Sequence, residues 1–430
     1  MREWHSGPVP PEPTDPATSR ATRTSTTRLA GRLAADVDRL VADHVGELVA
    51  LRRALHAHPE VSGREVQTTR TVAERLRIAG LAPTVLASGT GLVCDVLGES
   101  ALPMVALRAD IDALAMDDHT PTDYASRVPG VAHACGHDAH TAIVLGAGIV
   151  LARLLPTSGI PGTVRLVFEP AEESVPGGAV EVISAGWLDR VRSVFGLHCD
   201  PKLDCGRIGV RSGPITSATD HVVLVLHGPG GHTARPHLTV DLVSEAARVA
   251  LALPAALARL AGSGRVSLVW GSVRSGDAPN VIPSRAVLGG TLRTPDHLVW
   301  DAAPRLLERA VSEVMRDSLA SWDLSHERGV PAVVNTDDET ELLSAVARLV
   351  LGEENVVPTE QSLGGDSFAW YLREVPGSYA RIGVRDPSSS APAYDLHAST
   401  FDIDERAIAH GVRVLVLTAL TALATLADPA

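Results

Sequence analysis

The chain has 430 residues, 45% hydrophobic but only 3% aromatic, and carries a formal charge of −13 from 51 acidic against 38 basic side chains. That length exceeds one ordinary core and predicts two domains, while an acidic balance with no basic stripe interleaved with aromatics argues against nucleic acid as a partner. Four scattered cysteines (Cys94, Cys135, Cys199, Cys205) are too few for a disulfide framework, and no signal-type or uninterrupted membrane-length apolar run is read, so a cytoplasmic protein without a membrane partner is expected.

Residues 1–27, rich in Pro, Thr, Ser and Arg, read as a disordered tail. From about residue 27, Leu29, Leu33, Val37, Leu40, Val41, Val45, Leu48, Leu51 and Leu55 recur at helical spacing. A second helix is predicted over 65–79, stopped by Gly80. Short β-like runs at 91–97, 105–108, 163–168 and 192–197 alternate with helical stretches such as 141–155 and 178–184. Alternation of this kind predicts an α/β fold with a mixed, largely parallel sheet and helices on both faces. Between residues 218 and 330 the order changes to strand 220–226, helix 240–260, strands 265–273 and 285–292, helix 296–318 and strand 321–328. This βαββαβ order is that of a ferredoxin-like unit. It is read as an insertion into a discontinuous domain of residues 28–217 and 331–430. The latter resumes with helix 339–351, a strand near 379–383 and helix 405–424.

The chemistry-bearing residues follow the strands. Asp110 comes after 105–108, Glu172-Glu173 after 163–168, and His198 after 192–197. In open α/β sheets sites lie outside the carboxyl ends of the strands. A lone cysteine is usually a small buried hydrophobe. In His133-Ala134-Cys135-Gly136-His137-Asp138, however, a thiol stands two residues from a histidine on either side, a pattern suited to zinc, manganese or cobalt. Spacing alone leaves His133 and His137 as rival ligands. Glu172-Glu173, held by Pro170 and closed by Gly177-Gly178, divides naturally into a metal ligand (Glu173) and a general base (Glu172). His198 reads equally as ligand or structural histidine, and His397 is a late candidate. Asp110 is expected to hold a ligand imidazole in place. His232 follows Gly230-Gly231, a turn allowing close backbone approach.

Taken in order, Leu55-His56-Ala57-His58-Pro59-Glu60, Arg108-Ala109-Asp110-Ile111-Asp112-Ala113-Leu114, Cys135-Gly136-His137-Asp138, Pro170-Ala171-Glu172-Glu173, Gly196-Leu197-His198, Gly230-Gly231-His232 and Asn280-Val281-Ile282-Pro283 resemble the M20 peptidase/amidohydrolase family. Within it they are similar to the aminoacylase-like branch of N-acyl-amino-acid, hippurate and auxin-conjugate hydrolases. The resemblance runs from about Arg28 to the C-terminus. It implies two divalent ions per subunit (zinc, manganese, cobalt or nickel), with Cys135 bridging them. Glu173 and His397 would complete one site, His137 and His198 the other, with Glu172 as proton shuttle. It also implies a lid domain that dimerises and lends His232 across the dimer, with Asn280 and Arg293 holding the substrate. The chain departs from the family's pattern at Gly364-Gly365-Asp366-Ser367-Phe368, where an acidic residue usually precedes Asp-Phe, and at Leu114-Ala115, where Leu-Pro is common.

The expected activity is metal-dependent hydrolysis of the amide of N-acyl amino acids by a homodimer. A dipeptidase or carboxypeptidase of the same fold is the alternative within enzymes, and a catalytically silent metal-binding scaffold the alternative outside them.

Overall fold

The computed structural model describes residues 16–388 and 394–427. By its contacts the chain divides into two compact units, the first Met1–Gly213, Val334–Glu360 and Ser367–Ala430, the second Pro214–Val333 with Gln361–Asp366.

The first unit is built on an eight-stranded sheet in the order Thr84–Val85, Leu92–Leu97, Thr163–Glu169, Met104–Asp110, Val191–Asp204, Gly377–Arg385, Ile208–Val210, Val356–Pro358. The four central strands run parallel, and antiparallel pairings flank them on both sides. Strand alternation sorts the side chains. Val105, Leu107, Val164, Leu166, Phe195, Leu197, Ala380 and Ile382 join one apolar core with helices α1 (Pro16–Ala57), α3 (His137–Leu154) and α9 (Arg406–Ala427). The intervening residues, among them Arg108, Asp110, Glu169, His198 and Tyr379, carry the polar chemistry. On that side helix α8 (Phe368–Glu374) stacks Phe368 on Tyr379, ring centroids 4.5 Å apart.

Three sequence expectations are corrected here. Helix α1 begins at Pro16, so residues 16–27 of the supposed disordered tail are helical. The segments His137–Thr157 and Arg406–Ala427 are long and apolar enough to cross a membrane, contrary to the sequence reading. Their apolar windows are 72% and 78% buried within the protein, as core helices are. Finally, residues 361–366 return to the second unit, where Ser362 N donates to Ile215 O (2.9 Å) and Ser217 N to Gly364 O (3.1 Å).

In the second unit, strands Ser267–Ser275, Arg285–Thr294, Ala218–His227 and Ser321–Val330 form an antiparallel sheet in that order. Helices Leu242–Leu260 and His297–Val314 pack on it through Val249, Leu253, Ala303, Leu307 and Val311. Each helix is capped by an aspartate: Asp241 accepts from Val243 N and Ser244 N, and Asp296 from Leu298 N and Val299 N. The βαββαβ order and this strand sequence make the sheet ferredoxin-like.

Candidate metal centre

Helix α3 starts at His137 because Gly136, at its N-cap, adopts φ +88°. A Cβ at Gly136 would also sit 2.8 Å from Cys199 Sγ, so only glycine fits. This turn places Cys135 and His137 beside His198, from the central strand Val191–Asp204. Cys135 Sγ lies 3.6 Å from His198 Nε2. The opposite edge of His198 is fixed by Nδ1–H donating to Cys199 O (2.7 Å), which turns Nε2 toward the thiol.

Two ligand sets share the sulfur. Potential ligand atoms of Cys135, His137 and His198 lie within 4.8 Å of one another, and so do those of Cys135, Glu173 and His397. Glu173 Oε1 is 3.2 Å from His397 Nε2 and 3.9 Å from His137 Nε2. His137 Nε2 and Glu173 Oε1 are both buried without a hydrogen bond among the described residues. Buried polar atoms are rarely left so, and a thiol, imidazoles and a carboxylate converging on them are donors that fit a borderline divalent metal. His133 belongs to neither set. Both its ring nitrogens are buried and unpaired among the described residues, and burial pushes its pKa down to about 4.

The two non-glycine residues with positive φ in the described chain both sit here: Ala171 (φ 55°), before Glu172, and His397 (φ 63°). Such conformations cost about 1–3 kcal/mol each and persist where surroundings impose them. Ala171 N donates to Glu65 Oε1 (2.7 Å), and His397 N to Ala134 O (2.7 Å). The Glu172-Glu173 turn is pinned further by Glu173 N donating to Asp112 Oδ2 (3.0 Å) and Ser367 N donating to Glu172 Oε1 (3.0 Å).

Asp112 also lies against His137 Nδ1, with Oδ1 at 3.1 Å. The carboxylate at Nδ1 of this imidazole is Asp112, and Asp110 Oδ2 stands 3.8 Å from its Nε2. Asp110 also meets His140 Nδ1 at 2.6 Å, while His140 Nε2 accepts from Cys199 N (2.8 Å). Arg108, wholly buried, ties Asp110 (2.6 Å) to Glu169 (2.7 Å) and Ser367 (3.0 Å).

Burial favours the neutral forms here, and charges decide the rest. It pushes the Cys135 thiol well above its ordinary value, with His137 pulling the other way. His198 is driven well down, by burial and then by Arg381 and His140. Burial would also lower His137, but Asp110 and Cys135 outweigh it and raise it. For Asp110, burial is overcome by His137, Arg108 and His140, which hold it well below the carboxylate range. Behind the ligands, fully buried Arg52 reaches Asp138 (2.7 Å), next to His137, and Asp402 (2.8 Å), five residues after His397. His56, in the early His-x-His motif, adds a 2.7 Å contact to Asp138. Burial would raise Asp138, yet Arg52 and His56 hold it far below its usual range.

The remaining expected site residues lie in the second unit. His232 and Asn280 are neighbours on a two-stranded ribbon pairing Gly231–His232 with Val281–Ile282, and Thr233 N donates to Asn280 O (3.3 Å). Arg293 stands on strand Arg285–Thr294 opposite Ser267 and Thr219.

An α/β unit carrying a shared-sulfur ligand cluster at its strand ends, with an inserted ferredoxin-like unit, defines a class of two-unit metal hydrolases. The family model of peptidase family M20/M25/M40 matches residues 106–421, and the chain belongs to that family. It is 34% identical over 363 residues to the N-acetyl-L-cysteine deacetylase of Bacillus subtilis (strain 168), covering 84% of this chain and 85% of that one. It is 46% identical over 371 residues to a Rhodococcus jostii (strain RHA1) protein carried under a glutamate–cysteine ligase name; the match covers 86% of this chain but only 46% of that protein. Among solved structures, YXEP of Bacillus subtilis, described as a dinuclear metal binding peptidase of family M20, superposes with a TM-score of 0.77. It is 30% identical and covers 89% of this chain and 99% of its own.

Proposed function

We propose that the chain is a metal-dependent amidohydrolase that cleaves the amide of N-acyl amino acids, releasing a carboxylic acid and a free amino acid. The observation that carries this reading is Cys135 common to two potential ligand sets, with Glu172 beside them; Glu172 itself groups with His137 and Glu173 in a further potential set that lacks the thiol. A closed structural metal site has no need of an adjacent carboxylate outside its ligands, which weighs against a silent scaffold. Two divalent ions (zinc, manganese, cobalt or nickel), held by Cys135, His137, His198, Glu173 and His397, would supply Lewis acidity and an acidic water. Glu172, aimed by the Ser367 amide, is placed to accept a proton from an attacking water and to return it to the leaving amine. His232 is proposed to polarise the carbonyl from the partner subunit of a homodimer, with Asn280 and Arg293 holding the substrate.

One relative bears on the amino acid: it is named for deacetylating N-acetyl-L-cysteine, which makes that compound a candidate substrate to include in the panel. The test is amine release from N-acyl amino acids and from dipeptides by metal-stripped protein before and after each metal is restored. Metal-dependent cleavage of N-acyl amino acids supports the proposal. Cleavage of dipeptides alone would replace it with a peptidase, and silence on both would leave a non-enzymatic protein. Glu172→Gln should keep the metal and lower kcat by about 10²–10⁴-fold; unchanged turnover would remove Glu172 from its role.

A further inference from the structure

Arg381 lies on strand Gly377–Arg385, in register with His198 on the parallel strand beside it, as Tyr379 is with Gly196. Registered neighbours on parallel strands lie about 4.8 Å apart and project to the same face. Arg381 therefore stands next to a proposed metal ligand, on the polar side of the sheet. Its guanidinium is 5.6 Å from the Tyr379 ring centroid, and the Tyr379 ring is 6.1 Å from that of His198.

What sets Arg381 apart is that it is half-buried without a counter-ion, whereas Arg192, also unpaired on this sheet, is exposed. On the same sheet Arg108 is bound to Glu169 and Asp110, Arg165 to Asp95, and Arg385 to Asp204. Arg381 is half-buried, yet it has no carboxylate or hydrogen-bond acceptor among the described residues. Its neighbour on the other side, Gly209, has no side chain to offer. A guanidinium partly withdrawn from water gains most from a planar anion that it can grip with two parallel hydrogen bonds.

We propose that Arg381 is a carboxylate-recognising residue of the first unit, taking a carboxylate of the substrate beside His198. The assignment rests on the N-acyl amino acid reading above. It offers three sources for that group: the α-carboxylate, an acidic amino-acid side chain, or an acidic acyl group.

The test compares full-length, metal-loaded parent, Arg381→Leu and Arg381→Lys on N-acetylalanine, N-acetylglutamate and N-succinylalanine. Equilibrium binding of the same three compounds is measured by calorimetry in the Glu172→Gln background. The expected result is a KM and Kd raised about tenfold or more by Arg381→Leu, with kcat changed less than about twofold and partial recovery in Arg381→Lys. Loss confined to N-acetylglutamate or to N-succinylalanine locates the carboxylate on the amino acid or the acyl group, and equal loss on all three assigns it to the α-carboxylate. Unchanged KM and Kd throughout, a fall in kcat alone, or no binding of any compound before Arg381 is changed would overturn the assignment. Arg381-dependent binding without turnover would sink the amidohydrolase reading and leave this one standing.

Discussion

Two buried polar clusters, one in each unit, look alike in composition and differ in what they leave unpaired. In the second unit Asp220 accepts from Trp300 Nε1 (2.8 Å), His326 Nε2 (2.7 Å) and Gly329 N (2.9 Å), and so has a donor at each of its two oxygens. Around Cys135, by contrast, His137 and His198 are each oriented through Nδ1, while His137 Nε2 and Glu173 Oε1, facing the centre, have no hydrogen bond among the described residues, Glu173 Oε1 standing 3.2 Å from His397 Nε2. A saturated cluster is a brace, and one with idle inward atoms is a receptor. Buried polar groups are expensive unless matched, so the second pattern persists only if something else completes it.

The predictions sharpen that contrast, beginning with the brace. Asp220→Ala strands three donors and should cost about 3 kcal/mol, read by urea unfolding, while metal affinity stays at the parent value. Coupled loss of metal would show that the two clusters are not separable. Stripping metal should do the reverse. Restoring it at a hundredfold excess over Kd should stabilise the chain by about 2.7 kcal/mol, seen as a rise in Tm, and Asp220→Ala should leave that increment intact.

Acid separates the clusters in another way. Burial would raise Asp220, but hydrogen bonds from His326, Gly329 and Trp300 hold it below its ordinary value. Its stabilisation is therefore fully present above the unfolded value of about 3.9 and lost as pH falls through the lower folded one. The stability gap between parent and Asp220→Asn should be constant from pH 5 to 7 and close below about pH 4; a gap that persists unchanged at pH 2 would refute the charged form. Smallest of all, Arg53→Ala removes an ion pair with Glu405 in which Arg53 is 45% exposed, and should cost no more than about 1 kcal/mol.

The candidate ligands could be picked out because Cys135 and His137 stand two residues apart before a helix, and Glu172 and Glu173 are adjacent just after a strand. The parts that hold them were not, since Arg52 meets Asp402 across 350 residues and Arg108 meets Ser367 across 259. Such contacts have no local spacing to betray them. Asp112 escaped the sequence reading because it follows Asp110 at one strand end, and only the path of the chain after Asp110 brings it against His137 Nδ1. The Gly364-Gly365 run reads as a loop, which hid the return of residues 361–366 to the second unit and the short helix α8 that follows. Alternation and turn residues carried the two-unit fold more fully, because each strand buries a whole row of side chains. The start of helix α1 escaped because its first turns are rich in Thr, Ser and Arg.

The central claim is that Cys135 is a shared metal ligand, and cobalt(II) titration of the metal-stripped chain tests it most directly. The account predicts saturation at two ions per chain, with a near-ultraviolet thiolate-to-cobalt absorption band that disappears in Cys135→Ser as affinity drops at both sites. An unchanged stoichiometry and spectrum in Cys135→Ser would contradict it.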